Sequence, residues 1–137
     1  MLRAFVIHWS AEELPAKAAL VEAAGARVVG TEAKDGAQAG RSIRELAPDV
    51  LVVWLSRLPS HGRVTAGYVR SQGWGRELPI LFVDGDPEAL DKGKRAKLQE
   101  VVPDGIVVTP RTLQAWVEKV DAAVAARRRG VGVPPVA

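Results

Sequence analysis

Side chains that could do chemistry follow the apolar runs of this sequence, at the points where each run turns polar. The run 50–55 contains Trp54 and leads into a segment, 56–62, with two serines, an arginine and a histidine. An arginine and a histidine in one loop could bind an anion, and a histidine after an apolar run could act as a general base. The residues of interest on these grounds are His8, Trp9, Ser10, Ser56, Arg57, His61, Asp84, Asp86, Thr109 and Arg111.

These residues do not form a recognisable catalytic set. His8 has no serine or cysteine nucleophile convincingly paired with it, so a hydrogen-bonded structural histidine at the end of a strand is the favoured interpretation. Asp84 and Asp86 share one loop without a cationic partner, which is a weak signal for a metal site. The sequence therefore predicts no catalytic residue and no metal ligand.

Asp84 and the segment 56–62 can each be interpreted in two ways. A carboxylate that ends a buried strand needs a donor, and Arg57 or Arg111 could supply one to Asp84, so an internal ion pair is favoured over catalysis. The segment 56–62 is interpreted as a solvated loop, with an anion held by Arg57 and His61 as the alternative.

The elements that must position these residues are visible as five short apolar runs that alternate with stretches of helical spacing. The runs are rich in Val, Ile and Leu without polar alternation, which is typical of parallel strands covered on both faces. The alternation predicts five βα units in a doubly wound, three-layer α/β/α sandwich. Ligands of such sheets bind beyond the carboxyl ends of the strands, where the polar residues stand. The predicted strands are 2–8, 26–30, 50–55, 79–83 and 105–108.

Capping residues mark the helix ends. Ser10 and Glu13 have the spacing of a capping box, which predicts a first helix over 11–24. Asp86 before Pro87 and Thr109 before Pro110 predict the starts of the fourth and fifth helices, with Asp86 and Thr109 as caps. Helices two and three are predicted over 37–47 and about 63–71, and the last helix carries an apolar stripe of Leu113, Trp116, Val117, Val120 and Val124.

Composition limits the class of protein. A chain of 137 residues with 47% hydrophobic and 26% charged residues predicts one globular domain over 1–129, followed by a flexible tail over 130–137. The absence of cysteine excludes disulfides and thiol chemistry. The net charge of +3 includes three arginines at 127–129, which are interpreted as a solvated helix end, so nucleic-acid binding is not expected. The short apolar start lacks the length of a membrane span and a cleavage site, which predicts a cytoplasmic protein.

Three segments resemble response-regulator receiver domains. Residues 48–62 (PDVLVVWLSRLPSHG) are similar to the third strand and following loop of a receiver. Residues 78–85 (LPILFVDG) and 105–110 (GIVVTP) are similar to its fourth and fifth strands. The resemblance covers about residues 2–125 and implies a flavodoxin-like fold with the strand order 2-1-3-4-5.

The functional residues of receivers are not found at the matching positions. By resemblance, a pair of acids should follow the first strand, but His8 and Trp9 stand there. The phosphoacceptor aspartate falls at Trp54, the strand-four Ser or Thr at Asp84 and the strand-five lysine at Thr109. Forming an acyl phosphate requires a carboxylate nucleophile and a cation held by oxygen ligands, so the resemblance implies a degenerate phosphorylation site. The tryptophans are interpreted as filling the volume of the lost metal site, with stacking surfaces for a ligand or partner as the alternative.

The leading hypothesis is a non-catalytic pseudo-receiver that binds protein, either a partner or a second copy in a homodimer, and needs no cofactor. Receivers commonly dock partners on the face made by helix four, strand five and helix five. By resemblance this face presents Lys92, Lys94, Arg95, Lys97, Arg111 and Glu118.

Two other classes of function remain open. A small-molecule-binding flavodoxin-like domain would place its ligand at the carboxyl ends of the strands. Nucleic-acid binding through helix four and the basic helix end ranks below it, and a hydrolase or transferase comes last. The loops that would hold a small molecule contain Trp9, Trp54, Ser56, Asp84 and Thr109.

Overall fold

Strands and helices alternate along the whole described chain in this computed structural model. The structure describes residues 1–57, 59–83 and 92–130, with the backbone alone for 59 and 92–95. The strands are β1 (Arg3–Ile7), β2 (Arg27–Glu32), β3 (Val50–Trp54), β4 (Ile80–Val83) and β5 (Ile106–Val108). The α-helices are α1 (Leu14–Ala23), α2 (Gly36–Leu46), α3 (Pro59–Ser71), α4 (Lys92–Val101) and α5 (Leu113–Arg128), with a 3₁₀ turn at Gly73–Gly75.

The strands form one parallel sheet in the order β2-β1-β3-β4-β5. The predicted fold class and strand order are therefore confirmed. The central strand β3 is buried at every residue, as its uninterrupted apolar sequence predicts. All five predicted strands are present, each within two residues of its predicted ends.

Each face of the sheet packs against its own helices. Alternate residues of β3 point to opposite faces, so Val52 and Trp54 join the core with α1 and α5, whereas Leu51 and Val53 join the core with α2, α3 and α4. The predicted stripe of α5 lies on the first of these cores. Its members Leu113, Val117 and Val120 are buried, and Trp116 and Val124 are partly buried.

The predicted capping box at the start of α1 is wrong. The helix begins at Leu14, and the carbonyl of Ser10, rather than its hydroxyl, accepts a hydrogen bond from the Leu14 amide at 3.0 Å. Glu13 makes no capping bond because its carboxylate is bound by Arg57 and His8, which belong to two strand ends. The contacts of Glu13 with Arg57 and His8 thus replace the predicted capping bond within the helix.

The other helix starts also differ from the sequence expectations. α5 begins at Leu113, because Thr109 and Thr112 first close a turn in which Thr109 Oγ1 accepts from the Thr112 amide at 3.2 Å. α3 begins earlier than predicted, at Pro59, which suits the first position of a helix. The predicted start of α4 at Asp86 and the predicted tail beyond Gly130 lie outside the described residues.

Candidate functional site

The ends of β1 and β3 place two key residues side by side at the carboxyl edge of the sheet. Ile7 pairs with Val53, so His8 and Trp54 are the next residues along two neighbouring parallel strands. Trp54 also pairs with Val83 of β4, and Asp84, which follows Val83, lies outside the described residues. This edge is where doubly wound sheets place their ligands.

Trp54 is part of the core rather than of the surface. Its side chain is 1% exposed and packs in the cluster shared by α1 and α5. The Nζ atom of Lys17, from the first turn of α1, lies 4.8 Å from the centroid of the indole ring, which is within cation-π distance. The position that resembles the phosphoacceptor thus holds an apolar ring covered by a lysine.

His8 is one end of a three-residue network that is centred on Glu13. It is fully buried, and its Nε2 atom lies 3.4 Å from Oε1 of Glu13. The other carboxylate oxygen of Glu13 accepts a hydrogen bond from Arg57 Nε at 2.7 Å. Because Glu13 precedes α1 and Arg57 follows β3, this network joins the two loops that flank the end of the sheet.

The pKa values of both His8 and Glu13 are lowered in this network. Burial lowers the pKa of His8, and the hydrogen bond with Glu13 opposes that effect without reversing it. The hydrogen bond from Arg57 lowers the pKa of Glu13. A neutral His8 therefore donates from Nε2 to a charged Glu13, a tautomer that the hydrogen bond assigns.

Three buried ring nitrogens at this edge have no hydrogen-bond partner among the described residues. They are His8 Nδ1, Trp9 Nε1 and Trp54 Nε1. Trp9 is 9% exposed and meets the ring of His61 edge to face, with the centroids 6.0 Å apart. Buried polar groups without partners are unusual in folded proteins, and each such group calls for an explanation.

The structure brings together only some of the residues predicted to contact a ligand. Arg57 and His8 meet through Glu13, and His61 meets Trp9. Ser56 and Arg111 are exposed on separate loops, and Thr109 is buried in its turn with Thr112. Asp86, like Asp84, lies outside the described residues.

The predicted partner face is described in part. Lys97 of α4 and Glu118 of α5 are both exposed. Lys92, Lys94 and Arg95 lie on α4, and their side chains are outside the description. Arg111 is exposed in the turn before α5.

Glu13 and Lys17 are the site residues that sequence reasoning missed. The sequence pattern predicts Glu13 as part of a helix cap and predicts no role for Lys17. Residues four apart on a helix share a face, so this spacing was the available signal that both side chains point toward the same strand ends.

Another cleft lies away from this edge of the sheet. It has a volume of about 520 Å³ and opens at the amino ends of β3 and β4, beside Asp49, Trp74 and Arg127. The Asp49 carboxylate there is bound by the Arg3 amide and by Arg128. This cleft is remote from the strand ends where doubly wound sheets bind ligands.

The described residues contain neither a cluster of metal ligands nor a membrane-spanning helix. No group of three or more His, Asp or Glu side chains in the described ranges could hold a metal ion. Among the helices in those ranges, none combines the length and the apolar character needed to span a bilayer.

Comparisons with known proteins identify the fold. No protein-family model and no curated protein sequence matches the chain. The chemotaxis protein CheY4 of Vibrio cholerae superposes with a TM-score of 0.68 at 20% identity, over 88% of this chain and 98% of that chain. A putative response regulator of Chloroflexus aurantiacus gives 0.69 at 18% identity, over 88% and 98%.

A third solved structure extends the match over more of the chain. The REC domain of AraT, a response regulator from Geobacillus stearothermophilus, gives a TM-score of 0.64 at 21% identity, over 93% of this chain and 98% of that domain. The similarity covers nearly the whole length of each of these structures. The chain therefore has the fold of a response-regulator receiver domain.

Proposed function

We propose that this chain is a pseudo-receiver, a non-catalytic and phosphorylation-independent signalling module that acts in the cytoplasm by binding protein. The observation that carries the proposal is the buried indole of Trp54 at the end of β3. By resemblance, this is the position of the phosphoacceptor aspartate.

The surroundings of Trp54 support the proposal. An indole has no oxygen that could attack a phosphoryl donor, and a divalent cation requires oxygen ligands beside the acceptor. His8 and Trp9 stand at the positions of the metal-binding acids. The Glu13 carboxylate, which contacts His8, is already bound by Arg57 at 2.7 Å.

This proposal predicts that the protein takes up no phosphoryl group. Incubation with acetyl phosphate and Mg²⁺, followed by intact-mass measurement, should leave the mass unchanged, while an ordinary receiver domain treated in parallel gains a phosphoryl group. A stable phosphoryl adduct on the natural chain would contradict the proposal.

A Trp54→Asp variant tests the reason for that inertness. It restores a carboxylate at the end of β3 but not the acids after β1, so the folded variant should still gain no phosphoryl group. Circular dichroism verifies folding, and a variant with His8→Asp, Trp9→Asp and Trp54→Asp together is the matched control. Rapid phosphorylation of the single variant would contradict the proposal, because it would show that the chain can still bind the metal ion.

The surface proposed to bind protein is the face of α4, β5 and α5, whose exposed charges include Lys97, Arg111 and Glu118. If the partner is a second copy, sedimentation equilibrium at rising concentration should show a dimer, and Lys97→Glu should weaken it several-fold. Arg41→Glu, an exposed charge reversal on α2, is the control. A chain that stays monomeric and captures no partner in cross-linking would argue against this surface.

A further inference from the structure

A second cleft opens at the carboxyl edge of the sheet, beside the network of His8 rather than within it. Its volume is about 320 Å³, at the lower end of the range of roughly 300–1,000 Å³ that is typical of small-molecule sites. It lies between the end of β1, the start of α2 and the first turns of α3. The residues that line it are Trp9, Lys34, Gly36, Ser60, His61, Val64 and Thr65.

The wall formed by Trp9 and its neighbours is aromatic and apolar. Trp9 is more than nine-tenths buried, and its Nε1 donor has no partner among the described residues. A Cβ at Gly62 would stand in van der Waals contact with Nε1, at 3.7 Å, so this donor is enclosed beside the first turn of α3. Val64 is 68% exposed, which is unusual for a valine on a helix that packs against the sheet. This wall offers an aromatic and apolar surface.

The rest of the lining is polar and includes one positive charge, that of Lys34. Lys34 is exposed at the rim, and Ser60 and His61 occupy the first turn of α3, a helix of 13 residues. Amides in the first turn of a helix lack intrahelical acceptors and favour an anion, as does the positive end of the helix dipole.

The acids nearest to Lys34 in sequence are already engaged. Oε2 of Glu32 accepts hydrogen bonds from the amides of Ala33, Lys34 and Asp35. Oδ1 of Asp35 accepts from the amides of Ala37 and Gln38 and so caps α2. Their carboxylates therefore face backbone donors, and the Lys34 ammonium remains available at the rim.

We propose that this cleft binds a small aromatic anion, a molecule with one flat ring and one carboxylate or phosphate group. The ring packs against Trp9 and Val64, and the anionic group lies toward Lys34, Ser60 and the first amides of α3. The site does not depend on the pseudo-receiver function, because the cleft includes neither Trp54 nor the Glu13–Arg57 pair.

The test uses the full chain labelled with ¹⁵N, because each of its four tryptophans gives a separate indole N–H resonance. The Trp9 resonance is assigned with Trp9→Phe. Titration with 4-hydroxybenzoate, indole-3-acetate and adenosine monophosphate should shift the Trp9 resonance saturably with at least one probe, and the Trp74 and Trp116 resonances much less. Adenosine, which lacks the anion, should bind more weakly than adenosine monophosphate.

Two substitutions on the rim locate the site. Lys34→Gln should weaken binding by about fivefold, the effect of losing one exposed charge contact, and Val64→Glu should weaken it further by placing a negative charge at the rim. Arg27→Gln makes the same charge change at the exposed amino end of β2 and should leave affinity unchanged. The proposal is overturned if no probe moves the Trp9 resonance at millimolar concentration, or if Lys34→Gln and Arg27→Gln bind equally well.

Discussion

His8 shows what a single residue contributes at the edge of the sheet. It is fully buried, and the charged groups that face it are Glu13, Lys17 and Arg57. Burial lowers the pKa of His8, so the folded chain holds this histidine neutral under conditions in which the unfolded chain would begin to protonate it. The residue therefore links folding to pH.

The first prediction is that acidification destabilises the protein through His8. Because the pKa of His8 is lower in the folded state, the unfolded chain binds more protons below its ordinary pKa, and the free energy of unfolding falls as the pH falls through that window. Urea denaturation between about pH 7.5 and 5.5 measures this slope and stays above the range in which Glu13 titrates.

The two histidines provide their own control. His8→Gln should remove most of the pH dependence, whatever its effect on overall stability, whereas His61→Gln, at an exposed position, should retain it. Equal slopes in the two variants would show that His8 does not titrate as proposed.

The second prediction concerns Trp54 as a core residue. Trp54→Ala should lower the free energy of unfolding by about 3–5 kcal/mol, because it removes a large buried side chain and leaves a cavity. Trp74→Ala, at a half-buried position in the 3₁₀ turn, should cost clearly less. Denaturant titration measures both, and a cost below about 1 kcal/mol for Trp54→Ala would mean that the ring is not part of the core.

At the scale of elements, the close approach of α3 to the sheet shapes the cleft beside Trp9. A Cβ on Gly62 would stand 2.7 Å from Cγ1 of Val53, closer than real contacts allow. The first turn of α3 therefore lies directly against β3 only because this position has no side chain.

The third prediction follows from that contact. Gly62→Ala should destabilise the protein by about 1–3 kcal/mol through overpacking, even though alanine is the better helix former. Gly73→Ala, where a Cβ meets nothing within 4 Å, should be nearly neutral. A stabilised Gly62→Ala variant, measured by thermal denaturation, would show that α3 can move away from the sheet at little cost.

The elements also show what the sequence could and could not predict. The strands were predictable because five apolar runs allow little else in an α/β protein. The start of α1 could not be predicted, because Glu13 binds Arg57, which follows β3 and lies 44 residues away in sequence. The cleft beside Trp9 could not be predicted either, because it also depends on contacts between residues distant in sequence. Its shape is set by how closely the start of α3 lies to Trp9 and to the loop before α2.

At the scale of the whole molecule, one carboxylate joins both ends of the described chain. Asp49 accepts a hydrogen bond from the Arg3 amide at 2.8 Å and pairs with Arg128 at the end of α5. Its side chain is only 8% exposed, so these bonds form in a partly dehydrated environment.

The fourth prediction tests that connection. Asp49→Ala should lower the free energy of unfolding by about 1–3 kcal/mol, because it leaves the Arg3 amide without its acceptor. Asp121→Ala, at an exposed position on α5, should change stability by less than about 0.5 kcal/mol. Equal stabilities for the two aspartate variants would contradict the structural role of Asp49.

The bond between Glu13 and Arg57 has a consequence for how such a module would be controlled. In the proposed function, no covalent modification rearranges the two loops that this bond joins. The module therefore has a single output state. Mass action alone then sets how much partner is bound. A cell would adjust the signal by changing how much of the protein it makes or destroys, and the response time would follow turnover of the protein rather than the lifetime of a phosphoryl group.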